Sequence, residues 1–425
     1  MASNPWMTSN DIIEAVKRKI AFPVSQNTFS EEDILRFANE EMFISQVPSV
    51  LQYHEEYFVY RVQTPLVSNI SRYPIPDRAI GMRLRDLMWS DSSGNFFEMT
   101  RIGADDKAFF QRNIGANQAI HKFYLENNDV VLTPSVIGGP TGNLNFFIFL
   151  RPNQLVANDR ARVIQSFSQD ITITNNGAIV AGDVITVTTG TQSVQPIATD
   201  IPIVAGVNAA ATAAAIVSAV TLAAIDGVSA SASGATVTFT FDDITTSFVA
   251  LNETALSIST QVGFNFGTEV NSLYSVGSKI DFLQTKPGHK TYVFDVRVKA
   301  VTNPSVGVYC LKVNRNDLLI ELSNGYGFVP QIANILTGDY VCLAGESIIP
   351  QIPPDLHNML AEKTAARILA SLGDQAGLAM ANDKIKEMEY RQGSLLDDRV
   401  EGAPQKITAR HSILRYLKMG VRKRM

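Results

Sequence analysis

The chain opens on apolar residues spaced at a helical period. Ile12, Ile13, Val16 and Ile20 draw one stripe, with Ser9 or Asn10 placed to cap the helix and Pro23 to stop it. A second stripe of Ile34, Ala38 and Met42, with Leu35 and Phe37 beside it, follows Ser30. Asp33 stands three residues on, the spacing of a capping box, and Pro48 closes the segment. The period then drops to two, and 57–62, 82–89, 122–125, 130–132 and 145–150 read as strands. Turn-formers bound them, as in Ser92-Ser93-Gly94-Asn95 and the Gly/Pro-rich run 138–143. Much later 292–301 alternates again, and 307–313, 317–322 and 339–343 supply further strands. Helical spacing returns with Leu356, Leu360, Thr364 and Ile368, between Pro354 as first residue and Gly373 as stop. Leu378, Ala381, Ile385 and Met388 carry a last helix to Gly393.

Between the two sheet-like stretches the texture changes. No Lys or Arg occurs between Arg162 and Lys279, while Asp170, Asp183, Asp200, Asp226, Asp242, Asp243 and Glu253 remain. Strand-like runs at 171–174, 184–188, 228–231 and 237–241 flank an Ala-rich helix near 209–224. The pattern predicts an α+β chain. Residues 1–48 carry the N-terminal helices, 49–165 and 266–350 are two halves of a β-rich domain, and 166–265 is an inserted, mostly-β domain with one helix. Residues 351–393 carry the C-terminal helices and 394–425 form a basic tail. Short helices at either end cannot each bury an apolar stripe alone, so the two sets are expected to join in one helical bundle.

Composition narrows the class. With 425 residues, 45% hydrophobic and 18% charged, the chain can bury real cores, and its low charge suits a subunit that covers surface against neighbours. A net charge of −5 argues against wholesale nucleic-acid binding. Cys310 and Cys342 form no C-x-x-C pair, which fits a reducing compartment. The first residues have neither a basic nor an apolar region of a signal peptide. The Ala-rich stretch 207–225 reads as a packed helix rather than a membrane span.

Catalytic chemistry is not signalled. There is no G-x-S-x-G, no P-loop and no H-E-x-x-H, and the five histidines (His54, His121, His289, His357, His411) stand singly. His54-Glu55-Glu56, Asp105-Asp106 and Asp397-Asp398 read as solvated turns, and Asp242-Asp243 lacks the rest of a calcium loop. The reading is a non-enzymatic structural subunit with no cofactor and no metal. The strongest signal is the C-terminus, where Arg399, Lys406, Arg410, Arg415, Lys418, Arg422, Lys423 and Arg424 are opposed only by Glu401. Ile413, Leu414, Tyr416 and Leu417 are interleaved with these cations. A solvated terminus has no use for those apolar residues, whereas a docking segment does. Its cations suit an acidic protein surface, and they could also reach DNA phosphate without sequence preference.

Several stretches together resemble virion structural proteins of tailed bacteriophages, in particular those of the neck between head and tail. They are Tyr73-Pro74-Ile75-Pro76-Asp77-Arg78-Ala79-Ile80-Gly81 before Leu84-Arg85-Asp86, then Val130-Val131-Leu132-Thr133-Pro134 and Arg151-Pro152-Asn153-Gln154-Leu155. Further on come Gly338-Asp339-Tyr340, Pro350-Gln351-Ile352-Pro353, Leu356-His357 and Arg399-Val400-Glu401-Gly402-Ala403-Pro404-Gln405-Lys406-Ile407. The likeness covers both arms of the chain but not the insert. It implies a head-to-tail adaptor: a homo-oligomeric ring of about a dozen copies in the virion neck, assembled in the host cytoplasm. It also implies partners, namely the portal protein and tail or neck proteins, with no membrane. The C-terminal segment from Ile407 to Met425 would clasp the portal, with Arg410, Arg415, Lys418, Arg422, Lys423 and Arg424 on acidic surface. The length and the insert depart from compact adaptors. The alternative is a host-surface or tail-associated binding protein (collar, tail or decoration component).

Overall fold

In a computed structural model, the described residues are 7–20, 29–53, 55–67, 70–91, 95–103, 122–133, 142–189, 197–266, 273–283, 291–305, 308–315, 321–323, 328–330 and 335–396. They contain helices and several sheets, an α+β chain.

Helix α1 spans Ser9–Lys19 and is capped one residue earlier than the sequence suggests. Thr8 accepts from the Asp11 N–H, and the Asp11 carboxylate accepts from the Thr8 N–H at 2.8 Å. Ser9 is drawn elsewhere: its N–H and its hydroxyl both donate to the Ile348 carbonyl, at 2.7 and 3.0 Å. Helix α2, Glu31–Glu41, has the capping box formed by Ser30 and Asp33 that their spacing predicts. Pro48 does not end this segment. A π-turn, Met42–Gln46, follows α2, and α3, Val47–Tyr53, begins one residue before the proline. In the π-turn the Val47 N–H reaches back to Met42 O. Pro48 therefore sits in the first turn of a new helix, where its missing N–H costs little.

A 3₁₀ turn, Pro354–Leu356, leads into α5, which after α4 (Ala209–Ala223) spans His357–Leu372 and stops at Gly373 with φ +75°. Ile12, Ile13 and Val16 of α1, Ile34, Leu35 and Ala38 of α2, and Met359, Leu360, Ala361, Ala365 and Ile368 of α5 share one buried cluster. Ion pairs reinforce this packing at its margins: Lys17–Glu31 at 2.7 Å, Lys19–Glu362, and Arg367 with Glu40 and Glu41 at 2.9 and 2.7 Å. Helix α6, Gln375–Leu396, runs through Gly393 rather than ending there. A single glycine costs a helix interior only about 1 kcal/mol, too little to stop it.

Next to the helices lie two small sheets. One has the order 59–65, 142–150, 79–91, 96–98, and the other 72–74, 129–133, 122–126, 100–101. Leu144, Phe146 and Ile148 alternate along the central strand and pack with Leu87, Phe123, Val130 and Leu132. The long strand 79–91 shifts register near Leu84, just past two left-handed residues, Gly81 (φ +57°) and Met82 (φ +53°).

The largest sheet has nine strands, in the order 162–163, 340–343, 279–283, 291–305, 308–314, 256–266, 166–173, 236–241, 228–233. Strand 256–266 pairs on one side with 166–173 and on the other with 308–314. Residues 166–266, distinct in composition, thus share a sheet and a buried core with the residues that follow them. Phe167, Phe239, Phe241, Phe264, Phe282, Leu311 and Val341 all belong to that core. Two cations from 308–315 serve the stretch that has none. Lys312 pairs with Asp170, and Arg315 donates to the carbonyls of Ile244 and Thr246. Helix α4 packs Ala213, Ile216 and Val220 into the same core, and a three-stranded sheet, 197–202, 184–189, 247–250, closes the far side. Among the described residues no helix is long and apolar enough to cross a membrane.

Candidate functional site

The docking segment read from the sequence (Arg410, Ile413, Leu414, Arg415, Tyr416, Leu417, Lys418, Arg422, Lys423 and Arg424) lies outside the described residues, as do His54, His121, His289, His411, Asp105, Asp106, Asp397 and Asp398. Its approach is described. Helix α6 is 22 residues long and ends at Leu396, so the first three residues of the 394–425 stretch read as tail belong to the helix. Ala381 is buried against Ala366 and Leu369, with Leu378, Ile385 and Ile20 around it. Lys363 of α5 pairs with Glu389 at 2.6 Å, and Lys384 lies 3.8 Å from the buried Glu362. The other face is open, with Met380 68% and Tyr390 90% exposed. The helix is held along one stripe.

The conspicuous segments of the two arms meet at a second place, a buried polar junction. Arg78 comes from the turn before strand 79–91. Its guanidinium donates to Asn153 Oδ1, to Asp281 Oδ2 at 3.0 Å and to Asp295 Oδ1 at 3.2 Å. The Asp281 carboxylate is fully buried. Besides Arg78 it accepts from Asn153 Nδ2 at 2.8 Å and from the N–H groups of Gly345 and Asp295, each at 2.9 Å. The backbone N–H of Asn153 donates to Gln351 Oε1 at 2.6 Å, and its Nδ2 also donates to Glu346 O at 2.9 Å. Beside it Arg160 grips Glu346 with two nitrogens. Asp295 is a non-glycine residue at φ +58°, in a strand whose register shifts nearby, and its N–H bond to Asp281 holds that conformation.

Arg78, Asn153, Asp281, Asp295 and Gln351 come from four distant stretches, and they lock the small sheets, the large sheet and the approach to α5 together. Buried charges survive in protein only when paired and hydrogen-bonded, and here each finds its partner within the group. Arg78, Asn153 and Gln351 stand in the conspicuous sequence stretches, whereas Asp281 does not. Its signal was available: a lone carboxylate in the apolar run Ile280-Asp281-Phe282-Leu283.

The remaining candidates have structural employment. His357 accepts the Met7 N–H at Nδ1 (3.0 Å), and its Nε2 lies 3.2 Å from Ile352 O, which fits the neutral ring protonated at Nε2. Burial lowers its pKa to about 4 against the help of the Ile352 and Pro350 carbonyls. Cys310 and Cys342 are free and buried, and burial raises the pKa of both thiols, which disfavours the reactive thiolate. Asp243 closes a turn by accepting from the Thr245 N–H and hydroxyl, at 2.9 and 2.7 Å. Among the described residues no three His, Cys, Asp or Glu side chains cluster as metal ligands would.

No protein-family model matches the chain, and no curated protein matches it. Among solved structures it is similar to the D1-D2-D3 domains of the flagellar cap protein FliD from Escherichia coli. That similarity has 11% identity over 83% of this chain and 74% of that one, with a TM-score of 0.18. A score so low carries no argument about fold or role.

Proposed function

We propose that this chain is a non-enzymatic structural protein of a tailed-phage virion, a head-to-tail adaptor whose copies form a ring and join the portal to the tail. In this reading α1, α2, α5 and α6 form the bundle, the sheets form the attached β domain with residues 166–265 as its insert, and the basic tail docks on acidic portal surface. The observation that carries the reading is the geometry of α6. A helix anchored on one stripe, with Met380 and Tyr390 uncovered on the other, presents the interleaved cations and apolar residues beyond Leu396 to a partner. The junction around Asp281 supports it too, because it ties the layers into one unit able to bear load between two partners.

The test is co-sedimentation with assembled portal rings. The full chain is expected to bind in a salt-sensitive way, and a chain lacking residues 397–425 is expected to lose binding while its thermal unfolding stays unchanged. Equal binding by the truncated chain, or particles that keep their neck without this protein, would remove the proposal. A second reading, a host-surface or tail-associated binding protein, draws on Val180, Val207, Leu222 and Leu251, exposed apolar residues of the 166–265 segment. Loss of adsorption by otherwise intact particles lacking that segment would favour it.

A further inference from the structure

Sheet edges are where strands from other chains add on, and proteins guard them with charge, proline, bulges or brevity. Almost every edge among the described residues is guarded in this way. Strand 59–65 carries Arg61 and Pro65, 72–74 carries Arg72 and Pro74, and 197–202 carries Asp200 and Pro202. The edges at 96–98, 100–101, 162–163 and 247–250 are four residues or fewer. The two-stranded sheets are made of strands of two or three residues.

One edge breaks the pattern. Strand Val228–Ser233 ends the nine-stranded sheet with the sequence Val-Ser-Ala-Ser-Ala-Ser: six residues with no charge and no proline. It pairs in unbroken register with Thr236–Phe241, from Val228 opposite Phe241 to Ser233 opposite Thr236, so no bulge turns it away. Ser229, Ser231, Ala232 and Ser233 are exposed. The ladder also shows which backbone groups face outward. Asp242 N–H donates to Gly227 O, and Val228 N–H turns back to Ile225 O. Antiparallel bonding alternates, so residues 229, 231 and 233 bond within the sheet, and the N–H groups of Ala230 and Ala232 point off its edge.

We propose that this edge is an interface between copies of this chain, in which Val228–Ser233 pairs antiparallel with the same strand of a second copy and the large sheet runs on across both. The occupant follows from the chemistry of the edge. Alternating Ser and Ala offer backbone hydrogen bonds but no pocket and no charge with which to read a foreign side-chain sequence. The strand is complementary to itself about a two-fold axis, because each outward N–H meets the outward C=O of its counterpart. The proposal stands apart from the ring reading and does not involve the basic tail.

Sedimentation of the full-length chain tests it, with Ser231→Lys and Ala232→Pro as guarded variants. Both positions are exposed, and the proline removes only an N–H that faces off the sheet, so thermal unfolding is expected to stay at the parent value. The parent chain is expected to pair, and each variant to weaken pairing at least ~10-fold. Amide exchange at Ala230 and Ala232 is expected to quicken on dilution. A parent chain that stays single at ~100 μM overturns the proposal. Association that both variants leave untouched, or exchange at these two amides that ignores concentration, does the same.

Discussion

Asn153 donates from Nδ2 to Asp281 at 2.8 Å across 128 residues of sequence, and Arg78 holds the same carboxylate oxygen across 203. Among the described residues, removing the carboxylate leaves a mostly buried guanidinium hydrogen-bonded to Asp295 and Asn153. Asp281→Ala is therefore expected to cost on the order of 3 kcal/mol in urea unfolding. Asp281→Asn keeps the shape and some acceptor capacity, and is expected to cost less.

Acid should loosen the N-terminus through His357. Its pKa is lowered by burial to about 4, from 6.5, so the unfolded chain binds the extra proton first as pH falls. The stabilisation is whole above pH 6.5 and is lost as pH falls toward 4, at most about 3 kcal/mol. Thermal unfolding across that window should show the slope, and His357→Gln should flatten it.

Gly263 sits where two neighbouring strands crowd in. A Cβ there would stand 2.3 Å from Ser168 Oγ and 2.7 Å from Cys310 Sγ. Gly263→Ala is expected to destabilise by about 1–3 kcal/mol, and adding Ser168→Ala and Cys310→Ala should recover much of the loss. A triple variant no better than the single one would show that the strain lies in the backbone.

The ion pairs between helices should not be equal. Glu362 has a side chain only 3% exposed and meets both Lys19 and Lys384. The pair Arg18–Glu14 is solvated along one helix. Glu362→Ala is expected to cost about 3 kcal/mol and Arg18→Ala less than about 0.5 kcal/mol, read from denaturant midpoints at constant slope.

Local features were legible in the residues themselves. The Ser30–Asp33 box, the stop at Gly373, the Ala-rich helix and the alternation of 142–150 each depend on side chains within a few positions of one another. The interleaved cations of the C-terminus were legible for the same reason. Strands 197–202, 247–250, 256–266 and 279–283 were not picked out: Ser, Thr and Asn blur the alternation of 256–266, and the short run 279–283 is buried on both faces and does not alternate.

Sequence alone determined the capped and strongly periodic helices and the clearly alternating strands, since backbone sterics and periodic burial act over one or two turns. Only the tertiary structure decided that Ser9 anchors to Ile348 while Thr8 caps, and that Asp281 gathers Arg78, Asn153, Gly345 and Asp295. It also decided that Val228–Ser233 is the last strand of its sheet. A buried polar group takes its partners from whatever the long-range register brings within 3 Å, and no short window of sequence carries that information.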